Sequence, residues 1–277
     1  MGRKVHMLVT GDHAGPAASG YPLLGADLIV DADKRPFGYV DDMQFERGVR
    51  GPGQRSPITM FYIEGDGQKI LVDTGYEPGA TGDKSARAVL AKHGFALWTE
   101  SRPEWSVERQ LANVGTAAEE IDIVILTHCH FDHIGNNLKF PNARFIVQRD
   151  ELPWALHPPA YVQFYYGEYG YNLLELGDRL EAIDGDLRVT DGVSVKKLGG
   201  HTPGSQAILV DTDAGRVCLS GDLLYFYKNL ELNWPVGSYF DLNELMRAYA
   251  WMRSNADIIV PQHDWKFFEL YPDGSVG

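Results

Sequence analysis

Six residues, His128-Cys129-His130-Phe131-Asp132-His133, follow directly on IDIVILT (121–127), a nearly all-apolar, β-branched run. A run of that kind suits a strand buried on both faces. The fold must therefore bring three imidazoles and a carboxylate to the end of one of its innermost strands. In extended backbone His128 and His130 point the same way and Cys129 the opposite way. Both imidazoles can then grip one ion, and once the chain turns through Phe131, Asp132 and His133 become available to a second ion beside it. Imidazole and carboxylate donors suit zinc best among common metals, and iron, manganese and cobalt share the preference.

Four further β-type runs end on a ligand or a carboxylate. KILVD closes on Asp73, VKKL precedes GGHTPG with His201, RVCLS precedes Gly221-Asp222, and DIIVP precedes Gln262-His263. In layered α/β proteins functional groups gather where several strands end on the same side, so this placement predicts one shared site. Two ions need about four or five ligands each, more than the six-residue motif supplies. His201, Asp222 and His263 are the natural additions, and the two carboxylate oxygens of Asp222 can bridge a pair of cations.

The remaining pattern is that of a mixed α/β domain. ITMFYIE (58–64) and KILVD (69–73) flank Gly65-Asp66-Gly67-Gln68, a hairpin-type connection. Val107, Leu111 and Val114 have helical spacing, with Ser106 as N-cap and Gly115 at the C-terminal end. ARFIVQ (143–148), VSVKKL (193–198), QAILVD (206–211), RVCLS (216–220) and DIIVP (257–261) read as strands. Asp241 and Glu244 form an Asp-x-x-Glu capping box ahead of the stripe Leu242, Leu245, Met246, Tyr249 and Met252. No repeat or linker divides the chain, so residues 1–277 are expected to form a single domain. Residues 1–57, rich in Gly and Pro from 11 onward, read as an extended lead-in and a loop over a pocket.

Charge narrows the partners. The chain carries 38 acidic against 25 basic residues, a net charge of −13, which repels phosphate backbones and anionic membrane surfaces alike. Neither nucleic acid nor a membrane is an expected partner. Leu152 to Gly167, the longest uncharged stretch, is broken by prolines and tyrosines and does not resemble a membrane span. Asp12 and His13 interrupt the first apolar run before a signal-type segment develops. Cys129 and Cys218 are too few for a disulfide framework, which suits a cytoplasmic setting.

The order His-x-His-x-Asp-His, then a distant His, an Asp and a last His, resembles the metallo-β-lactamase superfamily over about residues 58 to 270. That resemblance implies an αββα sandwich in which His128, His130 and His201 hold one metal, Asp132, His133 and His263 a second, and Asp222 bridges them. Asp73 in LVDTG then matches an aspartate that supports a ligand from behind. Within the superfamily SVERQLANVGTAAEEIDIVILTHCHFDHIGNN, IVQRDE, GGHTPGSQ and SGDLLY are most similar to the N-acyl-homoserine lactonases. There a tyrosine three residues after the bridging aspartate contacts the substrate carbonyl, the position of Tyr225 here. The implied reaction is opening of a lactone ring by a metal-bridging hydroxide, with Asp132 passing a proton to the departing alkoxide.

Phe131, inside the motif, is expected to face the substrate. WALHPPAYVQFYYGEYGY (154–171) and YFYKNLELNWPVGSYF (225–240) form either an apolar wall around an acyl group or the packing of a subdomain or homodimer contact. Other hydrolases of the same scaffold, among them catabolic lactonases and glyoxalase-II-like thioesterases, remain alternatives. So do an iron dioxygenase and a metal-bound scaffold without activity.

Overall fold

The computed structural model describes residues 2–16, 53–65, 67–77, 98–100, 102–166 and 169–277. Thirteen strands are found there: β1 Lys4–Pro16, β2 Gly53–Glu64, β3 Ile70–Val72, β4 Trp98–Glu100, β5 Ile123–Ile125, β6 Arg144–Gln148, β7 Leu180–Ile183, β8 Leu187–Thr190, β9 Val193–Lys197, β10 Gln206–Thr212, β11 Gly215–Leu219, β12 Ile258–Val260 and β13 Ser275–Val276. One sheet has the order β13-β1-β2-β3-β5-β6-β7, with β4 paired to β1, and the other the order β12-β11-β10-β9-β8. The steps β3-β5-β6-β7 and β11-β12 are parallel, the others antiparallel.

The period-2 alternation of the strands builds the layers. Val5, Met7, Phe61, Ile63, Val72, Ile123, Ile125 and Ile146 of the first sheet meet Val193, Val195, Ile208, Val210, Val217, Leu219 and Val260 of the second in one buried cluster. Residues one step out of phase, Leu71, Val124, Phe145 and Val147, face the other way and pack with Val107 and Leu111 of the helix Val107–Asn113. On the far side of the second sheet Ala207 and Cys218 pack with Leu245, Ala248, Tyr249 and Met252 of the helix Leu242–Asn255. The result is the expected αββα sandwich. No helix among the described residues is long and apolar enough to cross a membrane.

Several expectations are refined by the structure. Ser106 caps its helix through a hydrogen bond from Arg109 N–H, and Gly115 takes a left-handed φ of 74° just beyond the end. Asp241 likewise accepts from Glu244 N–H, but the Glu244 carboxylate does not complete the box and instead accepts from Gly200 N–H at 3.2 Å. The lead-in reading of 1–57 is corrected at both its ends. Lys4–Pro16 is β1, with Val5 and Met7 buried between the sheets, and Gly53 to Pro57 already belong to β2. A central polar Gly-Asp-His hid that strand, because β1 passes a register shift between Val9 and Gly11 that breaks its alternation. The loop expected over a pocket falls on residues 17–52, outside the described residues.

Candidate metal centre

Five strand ends converge on the same edge of the sandwich. Asp73 follows β3, the histidine motif follows β5, His201 follows β9, Asp222 follows β11 and His263 follows β12. Two clusters result, each with its ligand atoms within 4.8 Å of one another: His128, His130, His201 and Asp222, and beside them Asp132, His133 and His263. All seven residues are buried.

Asp222 stands between the two groups. Its Oδ2 lies 3.4 Å from His201 Nε2 and 3.8 Å from His128 Nε2, whereas its Oδ1 lies 2.9 Å from His263 Nε2 and 3.2 Å from His133 Nε2. His130 Nδ1 and His201 Nε2 face each other at 3.1 Å. Asp132 completes the second group, with Oδ1 at 3.8 Å from His133 Nε2 and Oδ2 at 3.8 Å from His263 Nε2.

The ring nitrogens that point away from the clusters are tied to the protein. His133 Nδ1 meets Asp73 Oδ2 at 2.7 Å, His201 Nδ1 meets Ser238 O at 2.7 Å, His263 Nδ1 meets Pro57 O at 2.8 Å, and His128 Nδ1 meets Thr127 Oγ1 at 3.1 Å. Partners of this kind fix ring orientation and tautomer behind a metal ligand. Asp73, fully buried, also accepts from Thr127 N–H and Thr127 Oγ1–H. Its φ of 59° is a left-handed backbone, which aspartate tolerates better than most residues.

Burial and neighbouring imidazoles press His128 and His130 well below the usual histidine range, so both remain neutral and keep a lone pair to offer. Burial acts the same way on His133 and His263, but the Asp222 and Asp132 carboxylates outweigh it and raise both. Burial alone would raise Asp222; the facing His133, His263 and His128 hold it well below the carboxylate range. Two divalent cations fit this donor set. His128 Nε2 is buried with no hydrogen-bond partner, a cost that a polar atom rarely bears unless something else binds it.

Beside the first cluster lies a cavity of about 180 Å³ lined by His130, Trp154, Tyr165, His201 and Phe240 among others. The two aromatic segments noted in the sequence thus meet at one place, with Trp154 and Phe240 edge to face at 5.2 Å. Tyr165 stacks on His130 at 4.9 Å. Tyr225 is partly buried, its ring 5.9 Å from that of His201 and 5.5 Å from that of His263. Burial, with Asp222 behind it, raises its hydroxyl well above the usual phenol range, so the group stays protonated. Phe131 is partly buried, edge-on to Tyr76 at 6.0 Å, and is not among the residues lining the cavity.

Sequence reading did not single out Thr127 or the buried Glu151, and it covered Tyr165 and Ser238 only as members of the aromatic segments 154–171 and 225–240. Thr127 carried a local signal in standing next to the motif. The others come from segments distant in the chain.

The sequence profile of the metallo-beta-lactamase superfamily matches residues 53–263. An N-acyl homoserine lactonase of a Bacillus species is 31% identical over 216 residues, covering 75% of this chain and 81% of that one. A probable metallo-hydrolase of Mycobacterium tuberculosis is 28% identical over 224 residues, covering 73% and 68%. The solved structure of an N-acyl homoserine lactone hydrolase with N-hexanoyl-L-homoserine at its catalytic metal center superposes with a TM-score of 0.74 at 24% identity, covering 97% of each chain. A dizinc quorum-quenching lactonase superposes at 0.69 and 16% identity, covering 99% of this chain and 89% of that one. Both of these last likenesses are of fold.

Proposed function

The chain belongs to the metallo-beta-lactamase superfamily, and from that premise we propose that it is a dinuclear-metal hydrolase that opens lactone rings, with N-acyl-homoserine lactones as its substrates. The observation that carries this reading is Asp222, which turns one carboxylate oxygen toward each histidine cluster. His128, His130 and His201 would hold one divalent cation, Asp132, His133 and His263 the other, and Asp222 both. Zinc suits the imidazole-rich set, and iron, manganese or cobalt share its preferences. Bound there, the cations supply Lewis acidity, polarising an ester carbonyl and making water acidic enough to deprotonate near neutral pH.

The chain's own groups divide the remaining work. The protonated Tyr225 hydroxyl would donate a hydrogen bond to the carbonyl oxygen as negative charge develops on it. The Asp132 carboxylate, at the edge of the second cluster, would carry a proton to the ring oxygen as the ester bond breaks. The aromatic cavity beside His130 and His201 would exclude water and hold the acyl group, and Phe131, inside the motif, would face the lactone.

The test is proton release by the zinc-loaded protein on a panel of acyl-homoserine lactones, other aliphatic and aromatic lactones, thioesters and β-lactams. Turnover of acyl-homoserine lactones ahead of the rest is expected. Turnover of thioesters without lactones overturns the reading.

A further inference from the structure

Glu151 opens the helix Glu151–Leu156 and is completely buried. Its two carboxylate oxygens go to two different loops. Oε2 accepts from Cys129 N–H at 3.0 Å, and Oε1 accepts from Gly204 N–H at 2.7 Å. Cys129 lies between His128 and His130, and Gly204 lies three residues beyond His201. One side chain therefore spans the two segments that carry all three histidines of the first cluster. The rings of the second cluster are held from elsewhere, His133 by Asp73 and His263 by Pro57 O.

Gly204 shows that the approach is specific. A Cβ there would come within 2.7 Å of Glu151 Cγ and 2.9 Å of Glu151 Oε1, so only glycine admits the carboxylate this close. The loop is further fixed by Thr202 N–H, which donates to Ser205 Oγ at 2.9 Å. Burying a carboxylate is costly unless its hydrogen bonds compensate. Here they join loops 75 residues apart in the chain (204 − 129).

We propose that Glu151 is a positioning residue that clamps the histidine motif to the His201 loop, so that it governs occupancy of the first cation site and not of the second. This rests on the two-cation reading of the clusters. Glutamine is the discriminating substitution, because it keeps the shape but has one acceptor oxygen for two backbone donors and turns an NH₂ toward the other.

The full-length, zinc-loaded chain is compared with Glu151→Gln, Glu151→Asp and Gly204→Ala by zinc content against graded chelator and by amide exchange of segments 127–131, 202–206 and 258–263. Glu151→Gln and Gly204→Ala are expected to release one of two equivalents at about 10–100-fold lower chelator, with faster exchange in the first two segments only. Glu151→Asp, which restores two acceptors, should recover part of the retention. Two equivalents held as in the wild type, with unchanged exchange, overturn the proposal. If the wild-type chain takes up no zinc, the two-cation reading fails by itself. Exchange then decides the clamp: acceleration in both loops upholds it, and no acceleration ends it.

Discussion

Asp73 Oδ2 lies 2.7 Å from Nδ1 of His133, and neither residue has any exposed surface. The carboxylate fixes which nitrogen of that imidazole turns toward the cluster. Asp73→Asn keeps the size and the left-handed backbone but sets an amide NH₂ where an acceptor is needed for His133 or for Thr127. Zinc affinity of the Asp132, His133 and His263 group should fall about 10–100-fold. Metal retention equal to wild type under the same chelator would show that the contact orients nothing.

Tyr225→Phe removes one hydroxyl beside both clusters and no proposed ligand. Lactone turnover should drop on the order of 10²–10³ in kcat, with KM and zinc content nearly unchanged. A variant as fast as the wild type would strip the phenol of its role.

Trp154 and Phe240 close the cavity beside His130. If the acyl group of the proposed substrate sits there, a space of about 180 Å³ would favour a short or ring-bearing one over a long flexible one. Trp154→Ala or Phe240→Ala should shift kcat/KM from hexanoyl toward decanoyl substrate, by about fourfold for each methylene newly buried. An unaltered chain-length profile in both variants would place the acyl group elsewhere.

Cys129 and Cys218 are free and fully buried, and burial pushes the Cys218 thiol up to about 12. Thiol reagent at pH 8 should therefore label neither residue in the folded chain and both after denaturation. The sign of the pH effect follows: the unfolded thiol ionises near 9.0, so the unfolded state holds fewer protons above that pH. This contribution makes stability decline as pH rises from about 9 toward 12. Rapid labelling of native protein would contradict the burial.

Phe145 is completely buried in the layer between the first sheet and its helices. Phe145→Ala should cost about 3–5 kcal/mol in denaturant unfolding. Ser106→Ala, which removes one helix cap, should cost only about 0.5–2 kcal/mol. Equal effects would mean that the layer is not packed as described.

The strands that carry the site were legible because they are short apolar runs that stop at a polar residue, as β5 does before His128 and β12 before His263. Two of the edge strands were not. β7 (LEAI) and β8 (LRVT) are four residues each and only partly covered, too short a pattern to stand out from a loop. β1 was hidden by the irregularity after Val9. For the centre itself, the seven candidate ligands could be named from their types and their place after strands, since chemistry at that level is written residue by residue.

The sequence by itself determined which side chains could bind a metal and that they would meet at strand ends. Only the tertiary structure decided how Asp222 divides its oxygens between the clusters. It also decided which backbone carbonyls hold His201 and His263, and that Glu151 joins loops remote in the chain. The reason is physical: donor type and strand period are local properties of the chain. The partners of a buried polar atom depend on which segments the two packed sheets bring within about 3 Å of it.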